Sequence, residues 1–398
     1  MQTVRQNINN YLSILPVFFF PLLPLVSVLF SVLIILYNNK EVRKYNYYIF
    51  FILLALYLGF INGSKVPESD LIYYIQNYSN AGKFPFWTYI LIHHKEPGFF
   101  IYNYITYYLF FGNVTLYLIV TTFISYILLF VAVYKYYHKI YNKSKVIIFS
   151  ILIVAFFPQL FSLSAQIMRQ FMAGAILVYA MVQKFFYGKK AWYYLLLAAL
   201  IHSSVIFFIP FIYFKLLEKR FSFKLIFILT ILAFIIKQTI SPFTAWLLNK
   251  LGYNFLTYVF VRASEGTISN LKPISLLGLL TLAILVVISV WYQFFYTNDL
   301  KYKNSFIHFN NIFLVLVLFV LASFSMVELS KRFFFFSYFF LPFIFPLFFT
   351  TDKVEYKALR TVFLVSFFLF FVYRLQFGTW QYASLPQLLF GNIFNYFL

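Results

Sequence analysis

Two carboxylates are candidates for acid–base chemistry because the chain around them carries so little charge. Glu96 lies in the stretch "HHKEPGFFIYNYI" and Asp70 in "PESDLIYYIQNYSNAG", while only 10% of all residues are charged. A carboxylate in such a position can act as a general base that takes a proton from an attacking hydroxyl group. For either residue, a hydrated loop acid without a catalytic role is the alternative.

Several cations form a second set of candidates, and their chemistry suits an anionic ligand. Arg169 in "SLSAQIMRQFMAGAILVYAMVQKFF" is expected about five residues, or roughly 7 Å, inside a helix. A guanidinium at that depth must reach the interface or face a polar cavity, and it binds phosphate oxygens bidentately. Lys331, Arg332 and Arg262 extend this set on the predicted outer face. For Arg332, an ion pair with Glu328, four residues earlier, is the alternative.

His202 is a further candidate, placed within the apolar run "LLLAALIHSSVIFFIPFIYF". An imidazole can move a proton or donate a hydrogen bond to an anionic leaving group, and an interhelical hydrogen bond is the alternative. The adjacent His93 and His94 suggest a metal-ligand pair, but neighbouring side chains on a helix point about 100° apart, so we interpret them as interfacial residues. Walker, GxGxxG, HExxH, GxSxG and paired-cysteine motifs are absent from the sequence. We therefore predict neither a metal nor a cofactor.

The elements that must position these residues are apolar helices. Of 398 residues, 63% are hydrophobic, whereas soluble domains have roughly 45–50% apolar residues. Runs such as "LLGLLTLAILVVISVWYQFF" are apolar on every face, which excludes the alternating pattern of a transmembrane β-barrel. The sequence therefore predicts an all-α, polytopic integral membrane protein with about 10 to 12 transmembrane helices in a single domain.

Twelve apolar segments account for this prediction. They lie near residues 11–37, 46–61, 97–112, 114–134, 146–162, 164–187, 192–214, 222–240, 274–296, 307–327, 332–350 and 358–376. Since "MQTVRQNINN" lacks a signal-peptide pattern, we expect the first segment to remain as an anchor.

The charge-rich connections between the segments set the predicted topology. Lysine and arginine total 31 against 10 acidic residues, an excess that we attribute to the positive-inside rule and to anionic lipid, not to nucleic acid. All the basic connections face the cytoplasm only if segments 97–112 and 192–214 are re-entrant or interfacial, which leaves ten spans. This topology places both termini and two long connections, 62–113 and 241–273, on the outer face.

The order of the motifs resembles that of a known family. The element "SDLIYYIQNY" is followed by "EPGFFIYNYI", by "MRQFMAGAILVYA", by a basic turn into "LLLAALIHSSVIFFIPFIY", and by "KRFFFFSYFFLP". Over residues 65–345 this order resembles the EpsG family of polysaccharide polymerases, a branch of the Wzy-type O-antigen and capsule polymerases.

The resemblance implies a glycosyltransferase of the bacterial inner membrane that needs no nucleotide sugar. Such an enzyme joins undecaprenyl-pyrophosphate-linked repeat units on the outer side, for O-antigen, capsule or exopolysaccharide. Donor and acceptor glycan lipids are the implied partners, alongside membrane lipids, a chain-length regulator and a flippase of the same pathway. The positions that the resemblance carries over are Asp70, Glu96, Arg169, His202 and Arg332. Which of them is the general base is left open.

Aromatic side chains add candidates for contact with the glycan. Tyr73, Tyr74 and Trp87 lie on the predicted outer connection and could stack on sugar faces, with an interfacial aromatic belt as the alternative. Arg169, Arg332 and Lys331 would stabilise the charge of the leaving pyrophosphate.

Two other functions fit parts of the pattern. A flippase for the same lipid-linked glycan should line a central cavity with cations reachable from both faces, whereas the charges here cluster at one face. A membrane acyltransferase would use His202 as its base and should bury a second acid or asparagine close by, which "HSS" does not supply.

Overall fold

The computed structural model of this chain is helical, as the sequence predicts. It describes residues 14–37, 44–93, 96–236, 274–295, 302–350, 354–377 and 381–396. The structure is 84% helical and contains no strand in those ranges, so the all-α prediction is confirmed.

The helices are numbered here in chain order. Their bounds are α1 Pro24–Tyr37, α2 Lys44–Gly63, α3 Asp70–Asn80, α4 Phe86–Ile92, α5 Pro97–Leu109, α6 Val114–Ile140, α7 Ser144–Phe156, α8 Pro158–Gln166, α9 Met168–Tyr187, α10 Trp192–Ile201, α11 Phe208–Tyr213, α12 Phe223–Ile236, α13 Leu276–Phe295, α14 Lys303–Ala322, α15 Val327–Ser337, α16 Leu341–Ile344, α17 Val354–Phe377 and α18 Leu385–Phe390. Short 3₁₀ turns span Ser203–Phe207, Lys215–Glu218, Phe345–Phe349 and Ile393–Tyr396.

Six of the described helical stretches are long and apolar enough to cross a membrane. They are Lys44–Gly63, Val114–Ile140, Leu276–Phe295, Lys303–Ala322, Val327–Phe349 and Ala358–Phe377. A seventh crossing results if α7 and α8, which meet at a bend of 54°, form one span. Shorter apolar helices accompany them, so the chain is a multi-pass membrane protein. The count of ten spans and the direction of each crossing stay predictions.

Several predicted segments are broken where the sequence analysis expected continuous helices. The segment 146–162 is interrupted at Phe157, because Pro158 lacks a backbone N–H and restricts the residue before it to extended angles. The segment 192–214 is interrupted at His202, whose φ of −150° and ψ of 117° are extended. The predicted connection 62–113 contains the helices α3, α4 and α5, whereas residues 241–273 lie outside the described ranges.

The chain divides into two compact units. The first comprises residues 1–206 and 349–398, and the second comprises residues 207–348. In the first unit, α2 packs closely on α6 through a Gly-xxx-Gly spacing: a Cβ added at Gly59 would lie 2.8 Å from the Ile119 carbonyl oxygen, and one at Gly63 would lie 2.8 Å from Ile119 Cγ1. The prediction of a single domain stays a prediction.

A ladder of buried amides holds the second unit together. Asn310 Nδ2 donates to Gln293 Oε1 at 3.3 Å, and Gln293 Nε2 donates to Asn311 Oδ1 at 3.1 Å, which joins α13 to α14. Asn311 Nδ2 also donates to the carbonyl oxygens of Leu217 and Lys219, at 2.8 Å each. The backbone groups of this turn are thereby satisfied by side chains, as an apolar environment requires.

We expect Asn311→Ala to destabilise the second unit. The substitution leaves the carbonyls of Leu217 and Lys219 and the amide of Gln293 without this partner, at about 1–3 kcal/mol for each group that stays unsatisfied. Thermal unfolding of the detergent-solubilised chain should show a midpoint lowered by roughly 5 °C or more. Asn304→Ala is the matched control, because Asn304 is exposed in the first turn of the same helix. An equal effect of the two substitutions would contradict the prediction.

Candidate functional site

Three of the candidate residues meet in the first unit. One oxygen of Glu96, Oε2, lies 2.5 Å from Arg169 Nη1, and the other, Oε1, lies 2.8 Å from His202 Nδ1. Ser203 adds its backbone N–H at 3.2 Å and its hydroxyl at 3.4 Å, both donating to Glu96 Oε1. We refer to Glu96, Arg169, His202 and Ser203 as the Glu96 cluster.

Glu96, Arg169 and His202 each lie at a helix boundary. Glu96 immediately precedes α5, Arg169 is the second residue of α9, and His202 separates α10 from the 3₁₀ turn that starts at Ser203. The predicted depth of Arg169, about five residues inside a helix, is therefore wrong, because the chain breaks at Ile167. Helix N-termini carry partial positive charge and unpaired N–H groups, so they favour a nearby anion and disfavour a nearby cation.

Glu96 is a buried carboxylate with every contact suited to its ionised form. The residue is 7% exposed, and His202 is 8% exposed. Burial acts to raise the pKa of Glu96, but the close contacts with the His202 ring and the Arg169 guanidinium and the hydrogen bond from the Ser203 amide outweigh it and lower the pKa to about 2. A carboxylate with so low a pKa is a weak proton acceptor at neutral pH, and its contacts suit it to hold a negative charge between Arg169 and His202.

His202 is the group in the cluster that can accept a proton. Its Nδ1 is within hydrogen-bonding distance of Glu96, although the ring N–H is off the ideal line to the carboxylate oxygen. A carboxylate at Nδ1 favours the tautomer with its proton there, which leaves Nε2 as an acceptor. The pair therefore has the chemistry of a general base oriented by an acid.

Arg169 is the group in the cluster that can bind an anion. Its side chain remains 27% exposed although Glu96 occupies Nη1. A guanidinium has five N–H donors and no acceptor, so a single carboxylate contact does not exhaust it.

Close packing of α5 against α10 brings Glu96 to His202. A Cβ added at Gly98 would lie 2.9 Å from Leu200 Cβ and 3.0 Å from the Leu200 carbonyl oxygen, so only glycine fits there without displacement. Gly98 and Ser203 were not among the site residues predicted from the sequence. The signals were present as "EPG", a glycine in the first turn of a helix that begins at a proline, and as the serine after the histidine.

The remaining acid–base and aromatic candidates lie on or next to α3 and α4, in the same unit. Asp70 is the exposed first residue of α3, and the described contacts do not include it in the cluster. Tyr74 is buried beneath Arg169, while Tyr73 and Trp87 are exposed. The ring of His93 stacks on Phe100 with centroids 4.1 Å apart.

The other cationic candidates belong elsewhere in the chain. Arg332 lies on α15 in the second unit, where its Nη2 is 2.6 Å from Glu328 Oε1, the ion pair that its spacing suggests. Lys331 precedes it and is half-buried, whereas Arg262 and His94 lie outside the described residues. Within the described ranges, no group of three or more His, Asp or Glu side chains is placed to hold a metal ion.

We expect the interaction of Glu96 to persist through neutral pH and to fail only in acid. Because its pKa in the folded state, about 2, lies below the ordinary value of roughly 4.3, the carboxylate stabilises the fold above pH 4 to 5 and loses that contribution as the pH falls toward 2. The stability advantage of the wild-type protein over Glu96→Gln should therefore not fade between pH 7 and pH 5, and it should shrink as the pH falls toward 2. A difference that already fades between pH 7 and pH 5 would contradict the low pKa.

We expect Gly98→Ala to disconnect the cluster. The added methyl group overpacks the contact with Leu200, typically at about 1–3 kcal/mol, and pushes Glu96 away from His202. In a double-mutant cycle, Glu96→Gln should cost less stability in the Gly98→Ala background than in the wild type. Gly188→Ala is the control: it strains a left-handed glycine with a φ of 62°, yet the methyl group meets nothing within 4 Å. Full additivity with Gly98→Ala would refute the packing argument.

Comparison with known proteins assigns the chain to a family. Neither the curated proteins nor the solved structures give a match. The model of the EpsG family matches residues 48–385, a range that includes the whole Glu96 cluster. Because this match covers most of its length, the chain belongs to the EpsG family, a membership that indicates a polysaccharide-polymerase type of membrane protein.

Proposed function

We propose that the protein is a Wzy-type glycosyltransferase that joins undecaprenyl-pyrophosphate-linked oligosaccharide repeat units. It would act on the outer side of the bacterial inner membrane, in the biosynthesis of O-antigen, capsule or exopolysaccharide. The observation that carries this proposal is the Glu96 cluster, which combines an oriented proton acceptor with an anion-binding guanidinium in a family of polysaccharide polymerases.

In the proposed reaction, His202 is the residue of the cluster that accepts the proton. A hydroxyl oxygen at the non-reducing end of the acceptor attacks the anomeric carbon of the donor glycan, and a new glycosidic C–O bond forms. The bond between that carbon and the pyrophosphate oxygen breaks, and its electron pair leaves with the lipid pyrophosphate. The hydroxyl proton passes to His202 Nε2, help that is worth about 10²–10⁴-fold in general base catalysis.

The leaving group needs charge stabilisation more than a proton. Lipid pyrophosphate is a good leaving group, so Arg169 would act mainly by stabilising its developing negative charge. The N-terminus of α9 would add to this stabilisation, because the partial positive charge of the helix end lies beside the guanidinium. Glu96 would orient both partners, and Asp70 stays the alternative base.

Helix geometry supports an outer location for the cluster. Arg169 lies in the first turn of α9, and Lys189 and Lys190 follow the other end of this helix, about 30 Å away for 20 residues at 1.5 Å each. At that far end, Lys135 of α6 lies 5.1 Å from the centroid of the Tyr187 ring, so the basic ends of α6 and α9 are together. If these basic ends face the cytoplasm, as the positive-inside rule expects, the Glu96 cluster faces outward.

Other parts of the proposal rest on the sequence pattern. Arg332, Lys331 and Arg262 would add to the binding of pyrophosphate, and Tyr73 and Trp87 would contact sugars. The partners would be donor and acceptor glycan lipids, membrane lipids, a chain-length regulator and a flippase, with no nucleic acid involved.

Chain length of the surface polysaccharide tests the proposal. In a strain that lacks the native gene, Arg169→Ala, Glu96→Gln and His202→Gln should leave single repeat units on the carrier, and His202→Gln should lower the polymerisation rate by about 10²-fold or more. Arg220→Lys and His138→Gln are the controls, since neither residue belongs to the cluster. Membrane abundance of each variant is measured on the same samples.

The outcomes separate the alternatives. Long chains in all three cluster variants would overturn the site assignment. Loss of every repeat unit from the outer face, including single units, would point to a flippase instead of a polymerase.

A further inference from the structure

The Arg169 side chain lies against two aromatic rings that its proposed role does not use. Its Cζ atom is 5.4 Å from the centroid of the Tyr74 ring and 5.9 Å from the centroid of the Phe99 ring. The two rings meet edge to face, with centroids 5.7 Å apart and an angle of 65° between their planes. Phe99 comes from α5, the helix that Glu96 precedes, and Tyr74 comes from α3, so one further helix contacts the guanidinium.

The rings offset an unfavourable position for a cation. Arg169 is in the first turn of α9, where the helix dipole repels positive charge, and Glu96 compensates only on one side. The negative face of an aromatic ring attracts a cation within about 6 Å, and this attraction grows when the pair is shielded from water. Tyr74 is 3% exposed and Phe99 is 0% exposed, so both rings are shielded.

Tyr74 has an uncharged hydroxyl group beside Arg169, so its contribution to the contact is that of the ring face. Burial raises the pKa of Tyr74 although the charge of Arg169 opposes that rise, so the hydroxyl is protonated at neutral pH. Phe99 is tied to the cluster from the other side, since its N–H donates to the Glu96 carbonyl oxygen at 3.2 Å.

We propose that Tyr74 and Phe99 are positioning residues that fix the Arg169 guanidinium so that its exposed edge can bind a pyrophosphate group. This inference rests on the proposed function, and it gives Tyr74 a different role from stacking on sugars. Because the rings hold the guanidinium in place, anion binding does not have to order a flexible side chain first.

The test uses inorganic pyrophosphate as the probe and the full-length chain in detergent. The dissociation constant is measured by calorimetry for the wild-type protein and for Arg169→Ala, Tyr74→Phe, Tyr74→Leu and Phe99→Leu. Tyr74→Leu and Phe99→Leu should each weaken binding about tenfold, the size of one shielded cation–π contact. Tyr74→Phe keeps the ring and should lose less than Tyr74→Leu.

Tyr78→Leu is the matched control for a general loosening of α3. Tyr78 lies one turn further along the same helix, is fully buried, and stacks on Tyr117 with centroids 4.1 Å apart. A purely structural effect would weaken pyrophosphate binding equally in Tyr78→Leu and Tyr74→Leu, and that result would overturn the inference. If Tyr74→Leu does not fold, Phe99→Leu decides the question by the same comparison with Tyr78→Leu.

Failure of the inference is distinguishable from failure of the proposed function. If the wild-type protein binds pyrophosphate, Arg169→Ala does not, and the ring variants bind as tightly as the wild type, only the positioning role is wrong. If Arg169→Ala binds as tightly as the wild type, the anion site itself is wrong.

Discussion

The structure of the site depends on the ionised carboxylate of Glu96. A buried charge is tolerated only when partners replace its hydration, and Glu96 has a guanidinium, an imidazole and a backbone N–H for this purpose. Those partners come from segments that are 73 to 107 residues away in the chain. Removing the carboxylate would leave Arg169 at a positive helix end with only its aromatic neighbours to offset its charge. The arrangement of the whole cluster therefore depends on the Glu96 side chain.

Breaks in apolar helices make the cluster possible. A continuous helix satisfies its own backbone and leaves no N–H for a ligand, whereas the starts of α5, α9 and the turn at Ser203 supply such groups beside charged side chains. In an apolar environment these N–H groups and charged side chains also interact more strongly with a bound charge, because fewer water molecules screen the interaction. The arrangement suits a reaction in which negative charge develops on a phosphate oxygen, since the donors are in place before the charge appears.

The sequence predicted the all-α architecture correctly, for a simple physical reason. Long apolar runs must form helices in a membrane, and a charged or titratable side chain within them is costly enough to suggest a role, so Arg169 and His202 were singled out. Glu96 was singled out as a carboxylate in the predicted outer connection 62–113. The predicted depth of Arg169 within its helix was wrong because no proline or glycine in the sequence marks the break at Ile167. The break at Phe157, ahead of Pro158, was detectable and was missed.

By itself, the sequence determined an all-α membrane protein and the set of residues able to do acid–base and anion chemistry, since composition and periodicity are local properties. Only the tertiary structure decided which of these residues meet. The contact of Glu96 with His202 depends on a glycine that lets α5 approach Leu200, and the burial of Tyr74 beneath Arg169 depends on the packing of α3. Both are consequences of how helices pack against one another, and spacing along a single chain does not specify packing between helices.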